Sequence, residues 1–314
     1  MNRRALLKSA MMGAAGTAAL TATASRSIAA GSDKPAFVLI HGSWHGAWTW
    51  NDMTPRLAKA GYASIAIDLP GAGTRTHLPR SFQKRPLDRA AFAQEKSGVA
   101  TVTQTDRTAA AIEAVNHAST LGNGKVVLVG HSWGGITISH VAEAIPEKVK
   151  SVVYLTAFLL PNGMTAGAML GDKTFSAGQV GPLFMADPNK IGALRIDPRS
   201  QDPKYVAKAK AAFYADVSDR HFGAISNLLH CDEVASTAGV PMAITAAKFG
   251  KIDRHYVRLA DDQAIPAAAQ DRMVQLVDTS GVGGVTAVHK MSGSHSPFFA
   301  QPDALLGVFR KIAG

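Results

Sequence analysis

Short apolar runs rich in β-branched residues alternate along this chain with longer stretches of helical periodicity. The runs at 37–40, 64–68, 125–129, 151–155, 255–259 and 284–288 read as buried strands. Between them, 51–60, 101–119, 134–145, 266–277 and 298–312 repeat their apolar positions at helical spacing. Strand-then-helix alternation marks parallel βαβ units, since a strand reaches a parallel neighbour only through a long crossover. Two stretches depart from it. From 161 to 237 the alternation stops, and helical segments broken by Gly and Pro carry the scattered aromatics Phe175, Phe184, Phe213 and Tyr214. Such an insertion between two strands predicts a helical lid on a core formed by 31–160 and 238–314. The segment 73–98 is long, polar and basic, and predicts a surface loop.

Composition narrows the class. The chain has 314 residues, 46% of them hydrophobic, which is enough to bury a large core and too apolar for disorder. Its 29 Gly and 15 Pro follow no period, which excludes collagen. The single cysteine, Cys231, excludes an internal disulfide framework and a Cys-based zinc site. The formal charge of +10 is inflated by Arg3, Arg4, Lys8 and Arg26, which lie in a leading segment without acids. The remainder has no run of Lys and Arg interleaved with aromatics, so no nucleic-acid partner is expected.

Residues 1–30 read as an address. A basic start, Asn2-Arg3-Arg4-Ala5-Leu6-Leu7-Lys8, resembles the bacterial twin-arginine export signal. A weakly apolar Ala/Gly/Thr stretch follows, and Ser27-Ile-Ala-Ala30 offers small residues for cleavage after Ala29 or Ala30. The apolar stretch is too short to span a bilayer, so the expected location is periplasmic or secreted, without a stable membrane anchor.

The chemistry is concentrated in Gly130-His131-Ser132-Trp133-Gly134-Gly135, which follows an apolar strand and opens a helical pattern. This G-x-S-x-G in strand–turn–helix context is a nucleophile elbow, with Ser132 held on a sharp turn and glycines clearing the space around it. A serine hydroxyl is a poor nucleophile at neutral pH and needs a base and an orienting acid. His295, in the turn after the last strand, is the candidate base; His289 sits on the strand itself. Asp262 is the candidate acid, with its neighbour Asp261 as the alternative. Acyl transfer also needs donors for the developing oxyanion. The backbone N–H of Ser43, after the first core strand, and that of Trp133 are the candidates. Trp44, His45, Phe184 and Phe213 are candidate pocket residues.

These segments resemble the α/β-hydrolase superfamily, specifically the plant methylesterase and hydroxynitrile lyase group with its bacterial esterase relatives. The shared segments are 37–48, Gly130–Gly135, Lys248–Arg258, Asp262-Gln-Ala-Ile-Pro266 and Ser294-His-Ser-Pro297. The resemblance implies a mostly parallel central sheet flanked by helices, a Ser132–Asp262–His295 triad with Ser43 and Trp133 at the oxyanion positions, and no cofactor or metal. It also exposes departures. The lyases carry Thr where this chain has Gly42, and Lys where it has Ser296, directly after the candidate base. Both groups serve cyanohydrin chemistry, so an exported serine carboxylic-ester hydrolase acting on a small-molecule ester is the expected function. A lyase, a cofactor-free oxygenase using the His–Asp pair, and a non-catalytic ligand-binding protein are the alternatives. Dehalogenase and epoxide hydrolase chemistry need a carboxylate where Ser132 stands.

Overall fold

The computed structural model of this protein describes residues 32–314; the export segment read at 1–30 lies outside the described residues. Six strands form the central sheet: β1 (Ala36–Ile40), β2 (Ser64–Ile67), β3 (Val126–His131), β4 (Val149–Leu155), β7 (Asp253–Leu259) and β8 (Ala287–Met291). Their spatial order is β2-β1-β3-β4-β7-β8, and every neighbouring pair is parallel. This is the α/β-hydrolase architecture that the alternating pattern and the resemblance predict.

Both faces of the sheet are covered, and strand alternation assigns each side chain to one of them. Ala36, Val38, Leu128, Val152 and Tyr256 pack with α3 (Gln104–Ser119), α4 (Gly134–Ala144) and α9 (Ala267–Asp278). Phe37, Leu39, Val127, Val129, Val153 and Val257 face the other way. They meet α1 (Met53–Lys59), α10 (Pro297–Ala300) and α11 (Pro302–Ala313) through Leu57, Phe298 and Phe309. Helix α3 opens on a capping box: Thr103 accepts from the Asp106 amide, and the Asp106 carboxylate accepts from the Thr103 amide.

Three details differ from the sequence expectation. The last strand begins at Ala287 rather than 284. Gly283 and Gly284 both have positive φ, and their carbonyls accept from the buried Arg254 guanidinium, so this backbone is used in a turn before pairing starts. The insertion at 161–237, called the cap below, is not purely helical. Alongside α5 (Ala166–Leu170), α6 (Pro188–Ile191), α7 (Pro203–Tyr214) and α8 (Asp219–Ile225) it holds an antiparallel pair, β5 (Ala193–Arg195) and β6 (Asp232–Val234). That pair is too short to show a periodicity. It is held by a buried ion pair in which Arg195 donates twice to Asp232, at 2.6 Å each.

The basic segment 73–98 is also more than a solvated loop. It carries α2 (Arg89–Gln94), and Phe82 and Phe92 stack fully buried against Cys231 of the cap. Arg195 donates to the carbonyls of Phe92 and Glu95, so the segment is fastened to the cap by its backbone.

Candidate active site

The register of the parallel sheet gathers the candidate residues at one edge. Ile40 pairs with Gly130, His131 with Leu155, and Leu155 with Val257. The loops leaving the carboxyl ends of β1, β3, β4 and β7 therefore emerge side by side, where open α/β sheets bind their ligands. These loops carry Ser43, Ser132, Thr156 and Asp262.

Ser132 sits at φ +53, a left-handed conformation that costs a non-glycine residue about 1–3 kcal/mol. The turn is pinned by backbone bonds. Ser132 N–H donates to Leu155 O at 3.2 Å, and Ser132 O accepts from Gly135 and Phe158 at 3.1 and 3.0 Å. The flanking glycines are there for space: a Cβ on Gly134 would lie 2.6 Å from His41 O, and one on Gly135 would strike Phe158 O. The Ser132 hydroxyl has no hydrogen-bond partner among the described residues. It lines the wall of an apolar cavity.

Asp262, not Asp261, faces His295. His295 Nδ1–H donates to Asp262 Oδ2 at 2.7 Å, which leaves Nε2 of the neutral imidazole as a lone-pair acceptor. The other carboxylate oxygen, Oδ1, accepts the amides of Ala264 and Ile265 at 2.7 and 2.9 Å. The Thr156 hydroxyl donates to Oδ2 at 2.5 Å. Asp261 is used differently. Its carboxylate accepts Gly293 N–H at 2.8 Å and so shapes the turn that carries His295. From the cap, Asp216 accepts the amide and hydroxyl of Ser294, holding the same turn from the other side. His131 adds a third restraint by donating from Nε2 to His295 O at 2.9 Å. Burial holds the His131 pKa well below the ordinary histidine value, so this ring stays neutral. His289 lies away from this site, with its Nε2 3.1 Å from His255 Nδ1 across β7 and β8.

Among the described residues, neither the Ser43 nor the Trp133 amide has an acceptor. The Ser43 amide is aimed by its own peptide. The Gly42 carbonyl accepts from His41 Nδ1 at 2.8 Å, and in a trans peptide the N–H of Ser43 points the opposite way. His41 Nε2 accepts from Leu69 N–H at 3.1 Å, which fixes the tautomer with the proton on Nδ1. Burial lowers the His41 pKa to about 4, so this donor stays neutral.

An apolar cavity of about 60 Å³ meets Ser132 and both oxyanion candidates, and Trp44, Phe184 and Phe213 are among the residues that line it. Phe158, Leu170, Phe175, Val180, Leu194, Ala264 and Ile265 complete the wall, with no charged side chain among them. Leu170 and Phe184, 41% and 38% exposed, stand at the mouth. Phe213 is shared with the cap's own core. His45 does not line the cavity. It is buried behind Ser43, donating from Nδ1 to Ser43 O at 2.6 Å and accepting at Nε2 from Tyr214 at 2.5 Å. A second, roomier groove between the Asp197–Gln201 loop, α7 and α8 contains none of these residues.

Thr156, Asp216 and Tyr214 were not anticipated by the sequence. Thr156 leaves the end of β4, where the sequence offers no carboxylate, and its φ of +36 is a backbone property no residue pattern announces. Among the described residues no group of three or more His, Cys, Asp or Glu side chains is arranged to hold a metal ion. No helix among them is long and apolar enough to cross a membrane.

Comparison with known proteins agrees with the fold. The chain is 26% identical over 294 residues to putative methylesterase 14, chloroplastic, of Arabidopsis thaliana, covering 88% of this chain and 71% of that protein. It is 26% identical over 280 residues to an alpha-hydroxynitrile lyase of the same plant, covering 88% and 96%. The crystal structure of a pyrethroid hydrolase from Sphingobium faniae JZ-2 superposes with a TM-score of 0.70 at 22% identity, covering 89% and 97%. The sequence profile described as the alpha/beta hydrolase family matches residues 37–308, and the chain belongs to that family.

Proposed function

We propose that this protein is a serine carboxylic-ester hydrolase working through an acyl-enzyme. The observation that carries the proposal is the pairing of a strained Ser132 with two acceptor-free amides, Ser43 and Trp133, beside a His295–Asp262 hydrogen bond. His295 Nε2 takes the Ser132 proton as Oγ attacks the ester carbonyl, and the two amides hold the oxyanion. The carbonyl re-forms, the C–O bond to the alcohol breaks, and His295 returns the proton to the departing oxygen. Water, deprotonated by the same imidazole, then attacks the acyl-enzyme and releases the acid. Asp262 holds the tautomer and stabilises the imidazolium.

The uncharged aromatic wall favours a small apolar ester with no ionic group next to the carbonyl. Similarity to proteins named as methylesterases supports ester hydrolysis as the reaction class. A lyase is less well supported. A Cβ on Gly42 would stand 2.7 Å from Ser132 Cβ and 2.9 Å from His131 Nδ1, so the lyases' threonine has no space here. Ser296, where they carry lysine, is fully buried.

Export by the twin-arginine route, with cleavage after Ala29 or Ala30, is part of the proposal and rests on the basic start Asn2–Lys8, the weakly apolar stretch after it and the small residues at Ser27–Ala30. Replacing Arg3 and Arg4 by Lys should retain the uncleaved chain in the cytoplasm, as read on a fractionation blot.

The deciding experiment is hydrolysis of p-nitrophenyl esters from acetate to octanoate by the protein and by Ser132→Ala. Turnover that falls by at least about 10³-fold in the variant supports the serine mechanism. A folded protein inert on every ester overturns it and moves the oxygenase, lyase and ligand-binding alternatives ahead.

A further inference from the structure

We propose that Glu233, on cap strand β6, is a positioning residue that sets the direction of the Ser43 oxyanion donor; this rests on the esterase function proposed above. Trp44, directly after Ser43, has φ +61. A bulky aromatic residue stays in the left-handed region only where its surroundings fix it there. The surroundings here are largely the cap. Trp44 N–H donates to Glu233 Oε2 at 3.2 Å, its indole Nε1–H donates to Leu194 O at 2.8 Å, and its carbonyl accepts from His230 N–H at 3.1 Å. The core supplies the other end of the same peptide unit: Ser43 O accepts from His45 Nδ1 at 2.6 Å.

The 43–44 peptide is thus gripped at its carbonyl by the core and at its N–H by the cap. If the cap grip is released, Trp44 can leave the left-handed region. The preceding Gly42–Ser43 peptide, anchored at its carbonyl by His41 Nδ1 and with no acceptor at its N–H among the described residues, then pivots about that carbonyl and swings the Ser43 N–H off the oxyanion. Glu233 is built for a firm grip. It is fully buried, and its other oxygen lies 2.5 Å from Nη1 of Arg107 on α3, itself buried and donating from Nε to Pro70 O at 3.1 Å. A carboxylate held in a dry site makes a strong, directional bond to an amide. The cap is therefore a working wall of the oxyanion hole as well as a cover.

The test compares two charge-free double variants of the full chain, Arg107→Met/Glu233→Gln and Arg107→Met/Glu233→Leu. Removing both charges together leaves no orphaned ion, so both should fold. Only the Gln variant keeps an acceptor for Trp44 N–H. With p-nitrophenyl butyrate, the Gln variant should stay within about threefold of the wild-type kcat. The Leu variant should lose about 10- to 100-fold in kcat with KM within about twofold, short of the loss from deleting a donor outright. Its affinity for a trifluoromethyl ketone, which becomes an oxyanion adduct on Ser132, should weaken by the same factor. Equal kcat in the two variants, or a loss carried by KM, overturns the assignment. An inert wild type would instead overturn the esterase function, so the two failures are distinguishable.

Discussion

Thr156 donates its hydroxyl proton to Oδ2 of Asp262, the same oxygen that accepts the Nδ1–H of His295. The three groups lie in the loops after β4, β7 and β8, and the shared oxygen ties those loops together at one point. A hydrogen bond to a charged group is worth about 1.5–3 kcal/mol. Thr156→Val should therefore lower kcat by about 10-fold or more with little change in KM, and Thr156→Ser should restore it. Steady-state kinetics on one ester decides.

Asp261 and Asp262 are adjacent but hold different groups, and mutation should separate them. Asp262→Asn leaves His295 without its ionic partner and should reduce kcat by about 10⁴-fold. Asp261→Asn keeps an oxygen acceptor for Gly293 N–H and should stay within about fivefold of wild type. Equal losses would mean that the acid has been assigned to the wrong residue.

Gly42 leaves no space for a side chain. Gly42→Ala should push Ser132 or His131 aside and cost at least about 10²-fold in kcat, because small misplacements of a nucleophile are that expensive. The unmodified protein, which lacks both the threonine and the lysine of the lyases, should release no cyanide from mandelonitrile; release would reverse the preference for an esterase.

Stability should fall as the solution is acidified from neutral. Burial lowers His41 to about 4 and His45 to about 3, and lowers His131 and His230 as well. Between pH 6.5 and about 4 the unfolded chain binds protons that the native state refuses, so stability rises with pH across this window. Each such histidine contributes up to about 1.4 kcal/mol per pH unit. Urea midpoints should be level above about pH 7.5 and drop steadily towards pH 5; a flat profile would contradict neutral, buried imidazoles.

Arg195 and Asp232 are both fully buried, and Arg195 also holds the 73–98 segment through Phe92 and Glu95. Arg195→Met orphans a buried carboxylate and should destabilise the protein by about 3–5 kcal/mol, read by urea denaturation. Losing less than about 1 kcal/mol would show that Asp232 finds another partner.

Residue pattern alone was enough to specify the parallel sheet, the elbow and the fold class. Strand and helix periods are local properties, and Gly130–Gly135 carries its meaning in the order strand, turn, helix. The pattern also narrowed the facing groups to His295 and to Asp262 or Asp261, because both loops follow predicted strands. Folding in three dimensions chose between the two carboxylates, since neighbours in sequence differ there only in which way a turn aims them. It also moved His45 out of the cavity, turned the basic 73–98 segment into a packed part of the cap, and brought Glu233 to Trp44 across 189 residues. Contacts of that kind arise from chain crossings and left-handed backbone at single residues, and neither leaves a period in the sequence.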